Sequence, residues 1–216
     1  MRSGLAAFTG ALAAFALAMG CAGAMRLSAQ WTDPAFRATS LRQVMVVGVA
    51  RDPALREALE QEFVRALQGS GVAAIASRSQ GGGEIGDSTL QARALERGVD
   101  ALLITRPVDS RLVQANYPNV ASYLTVPSGY ASGWSAYARA AREWAAATGD
   151  TLAGQPIRLE ANLYRIPSDQ LVWSSLSESF AVQPASVASD FEPAVAALEA
   201  ALKPKLIKPK PQRPRR

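Results

Sequence analysis

The residue types that could carry out chemistry are few in this chain. Among its 216 residues there is no histidine and a single cysteine, Cys21, and every lysine lies within residues 203–216. A Ser-His-Asp triad, a Cys-His pair and a lysine Schiff base inside a folded domain are therefore excluded. A zinc site would lack its favoured ligands, so we predict no metal. Carboxylates and tyrosines are the remaining groups that could act as acids, bases or nucleophiles.

One glycine-rich string and two glutamates are the other candidates for chemistry. Residues 81–86, GGGEIG, match the G-x-G-x-x-G fingerprint of dinucleotide-binding turns. That fingerprint follows the first strand of its unit, whereas this one follows the second predicted strand, so we interpret it as a flexible connector and predict no cofactor. Glu160 and Glu178 lie on the two strands of a predicted hairpin, with Glu160 opposite Ser177 and Glu178 opposite Leu159. The two glutamates therefore lie on opposite faces of the hairpin and cannot form the pair of carboxylates that a glycosidase uses.

Cys21 stands at the end of an apolar stretch near the amino terminus. A cationic start and an uncharged run before the cysteine follow the layout of a secretory signal. The segment resembles a bacterial lipobox, which implies that residues 1–20 are removed as a signal peptide and that Cys21 carries a diacylglycerol and an acyl chain such as palmitate. In lipobox families Ala22, in place of an aspartate, favours the outer membrane, with the domain facing the periplasm. Two alternatives stay open: an uncleaved membrane helix over 4–25, and an ordinary signal that leaves a free thiol.

Positive charge is concentrated at the carboxyl terminus. The net charge is +5, and residues 203–216 contribute +7, so residues 1–202 carry −2. The folded body is mildly acidic, and we predict no nucleic-acid partner. Four prolines and the absence of hydrophobic periodicity predict a basic, disordered tail over 203–216. This tail is either a solubilising end or a segment attracted to an anionic surface such as lipid head groups or an envelope polymer.

The first part of the domain alternates between strand-like and helix-like segments. Residues 43–50 and 99–105 are near-continuous apolar runs of strand length, typical of parallel strands covered on both faces. A helix over 52–69 begins with an aspartate cap and a proline and ends at a glycine. A strand over 72–76 and a helix over 88–97 complete a βαβαβ unit. Right-handed crossovers predict the strand order 2-1-3, with the two helices on opposite faces of the sheet.

The second part of the domain has a different hydrophobic period. Residues 157–164 alternate between apolar and polar side chains, which predicts a half-buried antiparallel strand. Turn residues over 166–170 lead to a partner strand over 171–180, with Tyr164 opposite Trp173. A closing helix should cover this hairpin with an apolar stripe formed by Phe191, Ala194, Val195, Leu198 and Leu202.

These elements predict an α/β fold after a linker over residues 21–41. The fold class is a single βαβαβ-ββα domain over 42–202. Its mixed sheet has three parallel strands extended by an antiparallel hairpin, with helices on both faces.

Four stretches of the sequence resemble a group of small bacterial envelope lipoproteins: QWTDPAF, VMVVGVARDPALREALEQEFVRAL, GVDALLITRPV and LEANLYRIPSDQLVWSSLSES. The resemblance covers roughly residues 31–113 and 157–202. It implies a fold similar to the amino-terminal domain of the Tol-Pal propeller protein and to lipoproteins that activate cell-wall synthases. Relatives carry a Gly/Tyr-rich insertion, where this chain has an alanine-rich one.

That insertion, residues 114–150, is longer than a compact domain requires, which is typical of functional or disordered segments. A helix from about Ser135 to Thr148 would place several aromatic rings on one face. The aromatic stripe either packs on the domain's own core or forms a surface for a protein partner. The candidate partner-binding residues are Tyr117, Tyr123, Tyr130, Trp134, Tyr137 and Trp144.

Three classes of function remain compatible with the sequence. The leading interpretation is a lipoprotein, not an enzyme, that is held on the membrane by lipid on Cys21 and binds another envelope protein or polymer. The alternative is a structural subunit that self-assembles. An enzyme that uses carboxylates alone is the third class, and no residue pattern points to its site.

Overall fold

The computed structural model describes residues 25–36, 41–78, 88–116, 133–148, 154–166, 168–183 and 186–206. Within these ranges the strands are β1 (Leu27–Thr32), β2 (Val44–Gly48), β3 (Ala74–Ala76), β4 (Ala101–Asp109), β5 (Pro156–Arg165), β6 (Gln170–Ser177) and β7 (Phe180–Ala181). The helices are α1 (Pro53–Gly69), α2 (Ser88–Glu96), α3 (Ser110–Asn116), α4 (Trp134–Thr148) and α5 (Val187–Leu206).

The strands form one mixed sheet in the order β1-β6-β5-β4-β2-β3, and β7 pairs with the start of β5. Strand β2 lies between β3 and β4 and is parallel to both. This is the predicted order 2-1-3. Strands β5, β6 and β1 then extend the sheet in antiparallel fashion. The predicted α/β class with a mixed sheet is confirmed.

Helices cover both faces of the sheet because each carries an apolar stripe. Helix α1 is capped by Asp52, whose side chain accepts a hydrogen bond from the Ala54 N–H at 2.8 Å. Its stripe packs with that of α5 in a first core, which includes Leu59, Phe63 and Leu198. On the other face, α2 and α4 contribute to a second core.

Strand β1 lies inside the predicted linker over 21–41, which is therefore not a linker throughout. It pairs with β6 from Leu27 opposite Ser177 to Thr32 opposite Trp173. Six residues, LSAQWT, carry a weak local signal, and the strand depends on a partner nearly 150 residues away along the chain. The amino-terminal connection is therefore shorter than predicted.

Two further segments differ from the prediction. Helix α3 was not expected, and it follows directly from β4, which continues to Asp109. Helix α5 extends to Leu206, so residues 203–206 belong to a helix and not to the predicted tail. Leu206 lies four residues after Leu202 and is 2% exposed, so it continues the stripe that α5 packs into the first core.

The predicted register of the β5–β6 hairpin is wrong by one residue from Glu160 to Leu163 and by two residues at Tyr164 and Arg165. Glu160 lies opposite Leu176, and Leu163, not Tyr164, lies opposite Trp173. A β-bulge between Leu163 and Tyr164 inserts one extra residue on the β6 side, which turn residues alone do not reveal.

The prediction that β5 is half-buried is also wrong. Its apolar residues face the first core as expected, but Glu160, Asn162 and Tyr164 on the other face are each 0% exposed. Helix α4 packs on this second face, with the rings of Tyr137 and Tyr164 centred 5.9 Å apart. The polar residues that should face solvent are therefore inside the protein.

Candidate functional site

Polar side chains from β4, β5 and β6 form a connected group on the sheet face near α4. We call this group the buried polar cluster: Arg106, Glu160, Asn162 and Ser174. Sheet register brings them together, because Arg106 lies opposite Glu160 and Asn162 lies opposite Ser174. Glu160 and Asn162 are 0% exposed, and the Arg106 side chain is 13% exposed.

The contacts in the buried polar cluster satisfy the carboxylate of Glu160 on both oxygens. The Arg106 Nε donates to Oε2 at 2.8 Å, and the Asn162 Nδ2 donates to Oε1 at 2.8 Å. The Ser174 hydroxyl in turn donates to the Asn162 carbonyl oxygen. Each oxygen of this buried carboxylate therefore has a donor from a neighbouring side chain, which ties β4 and β5 together on this face of the sheet.

Helix α4 adds aromatic contacts to this cluster. The Arg106 guanidinium carbon lies 5.3 Å from the ring centre of Trp144 and 5.7 Å from that of Tyr137, both within cation–π range. Burial raises the pKa of the neighbouring Tyr164 phenol, and the Glu160 charge acts in the same direction. Tyr164 therefore stays neutral at physiological pH.

The position of α4 is set at its amino terminus by the β5–β6 turn. The Trp134 N–H donates to the Asp169 carboxylate at 2.7 Å, which makes Asp169 a cap supplied from another element. Gly133 allows this approach. Its φ is +96°, and a Cβ there would lie 2.0 Å from an Asp169 carboxylate oxygen.

The aromatic candidates divide between the core and residues beyond the described ranges. The predicted helix over 135–148 is present as α4. Trp134 is 2% exposed and Tyr137 is 4% exposed, and both belong to the second core. Trp144 is half-buried over Arg106. The burial of Trp134 and Tyr137 favours the core-packing alternative for these two rings, whereas a role for the aromatic residues at a partner surface stays a prediction. Outside the described residues lie Cys21, Tyr117, Tyr123 and Tyr130.

A second polar site lies where the parallel strands β2 and β3 end. A cleft of about 290 Å³ is lined by Glu57, Glu60, Gln61, Ala76 and Arg78. This is the end of a parallel sheet at which α/β proteins commonly bind ligands.

Glu60 is the buried member of this cleft, at 2% exposure. Its carboxylate accepts hydrogen bonds from the Gly48 N–H at 3.0 Å, the Ser77 hydroxyl at 2.7 Å and the Arg78 N–H at 3.1 Å. Burial raises the pKa of Glu60, and these three donors counteract part of that effect. The carboxylate joins α1 to the ends of β2 and β3.

Sequence reasoning missed both polar sites. For the cleft, the sequence offered one signal, which is the glycine Gly48 at the end of an otherwise apolar strand. A glycine is needed at this position, because a Cβ there would lie 2.7 Å from the Arg56 carbonyl oxygen. For the buried polar cluster, Glu160 and Asn162 looked like solvent-facing residues of an alternating strand. No local pattern distinguishes such residues from buried ones.

Two features are absent from the described ranges. No group of three or more acidic or cysteine residues in that part of the chain is arranged to hold a metal ion. No helix there combines the length and apolar character needed to cross a membrane.

No protein-family model and no curated protein matches this chain. Among solved structures it is similar to the PelC dodecamer from Paraburkholderia phytofirmans, at 12% identity with a TM-score of 0.44, covering 83% of this chain and 96% of that chain. It is also similar to a DUF330 protein from Xanthomonas campestris, at 16% identity with a TM-score of 0.34, covering 80% and 87%. Similarity at this level assigns neither family nor function, and the resemblance to Tol-Pal-type domains stays a prediction.

Proposed function

We propose that this chain is a lipid-anchored protein of the bacterial cell envelope whose α/β domain binds another envelope component without catalysing a reaction. The observation that carries this proposal is the position of the lone Cys21, at the end of an uncharged apolar run and just before the folded domain. Two or more acyl chains on one residue are enough for stable membrane attachment.

The start of the fold supports an anchored arrangement. Strand β1 begins at Leu27, so only five residues separate it from Cys21. A flexible segment of that length has a root-mean-square span of about 12 Å, and about 20 Å is its limit when extended. The domain would therefore stay close to the membrane that holds its lipid.

The polar sites support binding over catalysis. Two of the buried carboxylates, Glu60 and Glu160, have hydrogen-bond donors on both oxygens. Groups held in this way stabilise packing between elements, whereas a general acid or base must reach a substrate atom.

Intact-mass analysis of the purified full-length protein tests the anchor. We expect loss of residues 1–20 and added acyl mass on Cys21, and a Cys21→Ser variant should show neither change. An Ala22→Asp variant is the matched control for localisation, since it should stay acylated and move toward the inner-membrane fraction. An unmodified chain that begins at Met1 would refute the proposal.

Self-assembly is the second candidate, and the sheet gives it a specific basis. Among the described residues β1 pairs only with β6, which leaves its other side without a strand. Such an edge can pair with a second chain. Size exclusion with light scattering on the acylated protein in detergent, run over a dilution series with the detergent mass subtracted, would show a fixed oligomer if this candidate is right and a monomer if it is wrong.

A further inference from the structure

Arg158, the third residue of β5, is a cation whose contacts are all with neutral groups. Its guanidinium Nε donates to the Ser110 hydroxyl at 3.1 Å. Its Nη1 donates to the Ser177 carbonyl at 3.1 Å and to the Ser28 hydroxyl. None of the ion pairs in the described ranges includes Arg158. The positive charge of this side chain is therefore not balanced by a contacting carboxylate of the fold.

Partial burial makes the missing anion costly. The Arg158 side chain is half-buried, and this desolvation lowers the pKa of its guanidinium, while the Glu178 charge, which makes no ion pair with it, opposes the shift. On the same face of the sheet, the charge of Arg106 is matched by the Glu160 carboxylate at 2.8 Å. A partly desolvated charge without a counter-ion gains free energy when an anion reaches it. The surroundings of Arg158 therefore favour an anionic ligand.

The hydrogen-bonding capacity that remains at this site consists of donors. Nε and Nη1 of Arg158 are occupied, and no partner within the described part of the chain contacts the two N–H groups of Nη2. The Ser110 hydroxyl accepts from Nε and keeps its own proton to donate. The Ser28 hydroxyl is used in both roles, because it accepts from Nη1 and donates to the Ser177 carbonyl at 2.9 Å. A phosphate group, with its negative charge and several acceptor oxygens, matches these donors.

Three elements of the fold bring the donors together. Arg158 lies on β5, and Ser110 is the first residue of α3, directly after β4. Strand β1 contributes Ser28 through a β-bulge between Leu27 and Ala29. A bulge re-aims a side chain away from the regular alternation of a strand, and bulges are common beside functional sites. The arrangement around the guanidinium is therefore part of the sheet and does not depend on a surface loop.

Four charged residues lie within two positions of the three serines. Arg111 contacts the Asp109 carboxylate at 3.5 Å, and that carboxylate also accepts the Arg111 N–H at 2.7 Å. The Arg26 N–H donates to the Glu178 carboxylate at 3.3 Å. Together with Arg158, three arginines and two acids leave one positive charge in excess. The charge around the site is therefore compatible with an anion.

The position of Ser28 in the sequence indicates where the phosphate would come from. Ser28 is seven residues after Cys21, and seven residues span at most about 25 Å when fully extended. With lipid on Cys21, the Arg158 site lies within this distance of a surface formed by phosphate-bearing head groups.

We propose that Arg158, held by Ser28 and assisted by Ser110, binds the phosphate group of a membrane lipid. A soluble phosphate has the same chemistry and is distinguished by the experiment. The lipid source rests on the anchor proposed above, whereas the phosphate site itself does not.

The test compares the full chain in two kinds of vesicle, with unfolding followed by circular dichroism at 222 nm. One kind contains phosphatidylglycerol and phosphatidylcholine, and the other contains the phosphate-free glycolipid digalactosyldiacylglycerol. Because a ligand that binds only the folded state raises Tm, we expect the wild type to melt about 3 °C or more higher in the phospholipid vesicles. Arg158→Gln should abolish this difference, whereas Arg97→Gln, at an exposed arginine before β4, should preserve it. An equal difference for the wild type and Arg158→Gln would overturn the proposal.

Ser110→Ala is a second variant that leaves the guanidinium in place. It removes one donor, so the difference in Tm between the two kinds of vesicle should shrink without disappearing. A full wild-type difference in Ser110→Ala would overturn the assignment of this hydroxyl to the site, including the case in which Arg158→Gln does not fold.

Inorganic phosphate at about 1 mM, added to the wild type in the glycolipid vesicles, identifies the source. We expect little change in Tm, because bulk phosphate lacks the high local concentration that an anchor gives to head groups. A rise that matches the one in phospholipid vesicles and is lost in Arg158→Gln would overturn the lipid source in favour of a soluble phosphate.

Intact mass of the same samples separates this inference from the proposed function. An unacylated Cys21 means that the lipid anchor fails, and the lipid source is overturned with it. An acylated Cys21 with no Arg158-dependent difference between the two kinds of vesicle means that the inference alone fails.

Discussion

Truncation of Trp134 tests whether the aromatic helix α4 is part of the core. Trp134 is 2% exposed, packs in the second core and receives the Asp169 cap at its backbone N–H. Replacing a buried large side chain by alanine removes its transfer free energy and leaves a cavity. We therefore expect Trp134→Ala to lower the free energy of unfolding by about 3–5 kcal/mol. For a chain of this size that corresponds to a fall in Tm of about 6–20 °C.

Trp144→Ala is the matched comparison on the same helix. Its ring is half-buried and contacts the Arg106 guanidinium at 5.3 Å, so we expect a loss of about 1–2 kcal/mol. Both variants can be measured by thermal and urea unfolding followed by circular dichroism at 222 nm, which does not depend on the removed fluorophore.

The two rings also separate packing from partner binding. If α4 is core, Trp134→Ala destabilises more than Trp144→Ala, and capture of any envelope partner falls only in proportion to the unfolded fraction. An unchanged Tm for Trp134→Ala together with lost capture would refute the core assignment and return the aromatic stripe to the role of a binding surface.

Three further predictions concern the polar sites. Arg106→Met and Glu160→Gln should each lower the free energy of unfolding by about 3–5 kcal/mol, because each leaves a buried partner without its ion pair. In urea unfolding, the double variant should lose less than the sum of the two single losses. Simple additivity would contradict the coupling between the two residues. Because burial raises the pKa of Glu60 above its ordinary 4.5, its folded state holds the proton more tightly than the unfolded state. The free energy of unfolding of the wild type, relative to that of Glu60→Gln, should therefore fall as pH rises from about 4.5 through the raised pKa. A difference between the two proteins that does not change with pH would contradict this prediction. Asp169→Ala should cost about 1 kcal/mol by removing the cap of α4, while Asp169→Asn keeps an acceptor and should cost less; equal losses in thermal melts would rule out the cap.

Short-range patterns were enough to predict much of the fold. Helix α1 was predicted from an aspartate cap, a proline and an apolar stripe, all of which act within a few residues of one another. The strands β2 and β4 followed from apolar runs, and handedness then set the order of the parallel strands. Helix α4 was also predicted, because its stripe repeats at helical spacing.

Long-range contacts decided the rest. Asp169 caps a helix that begins 35 residues earlier in the chain, and the Glu178 N–H pairs with the Arg26 carbonyl across 152 residues. Alternation along β5 correctly separated its two faces, but only packing against the second face determined that Glu160 would be buried.

The sequence by itself determined the chemistry that the chain lacks, the lone Cys21 before the domain and the concentration of positive charge at the other terminus. The tertiary structure alone decided that β1 pairs with β6 at the edge of the sheet and that the end of α1 lies beside α5. Composition and periodicity describe neighbours along the chain. Which strands pair and which helices pack together depends instead on contacts across the whole domain, which no local pattern encodes.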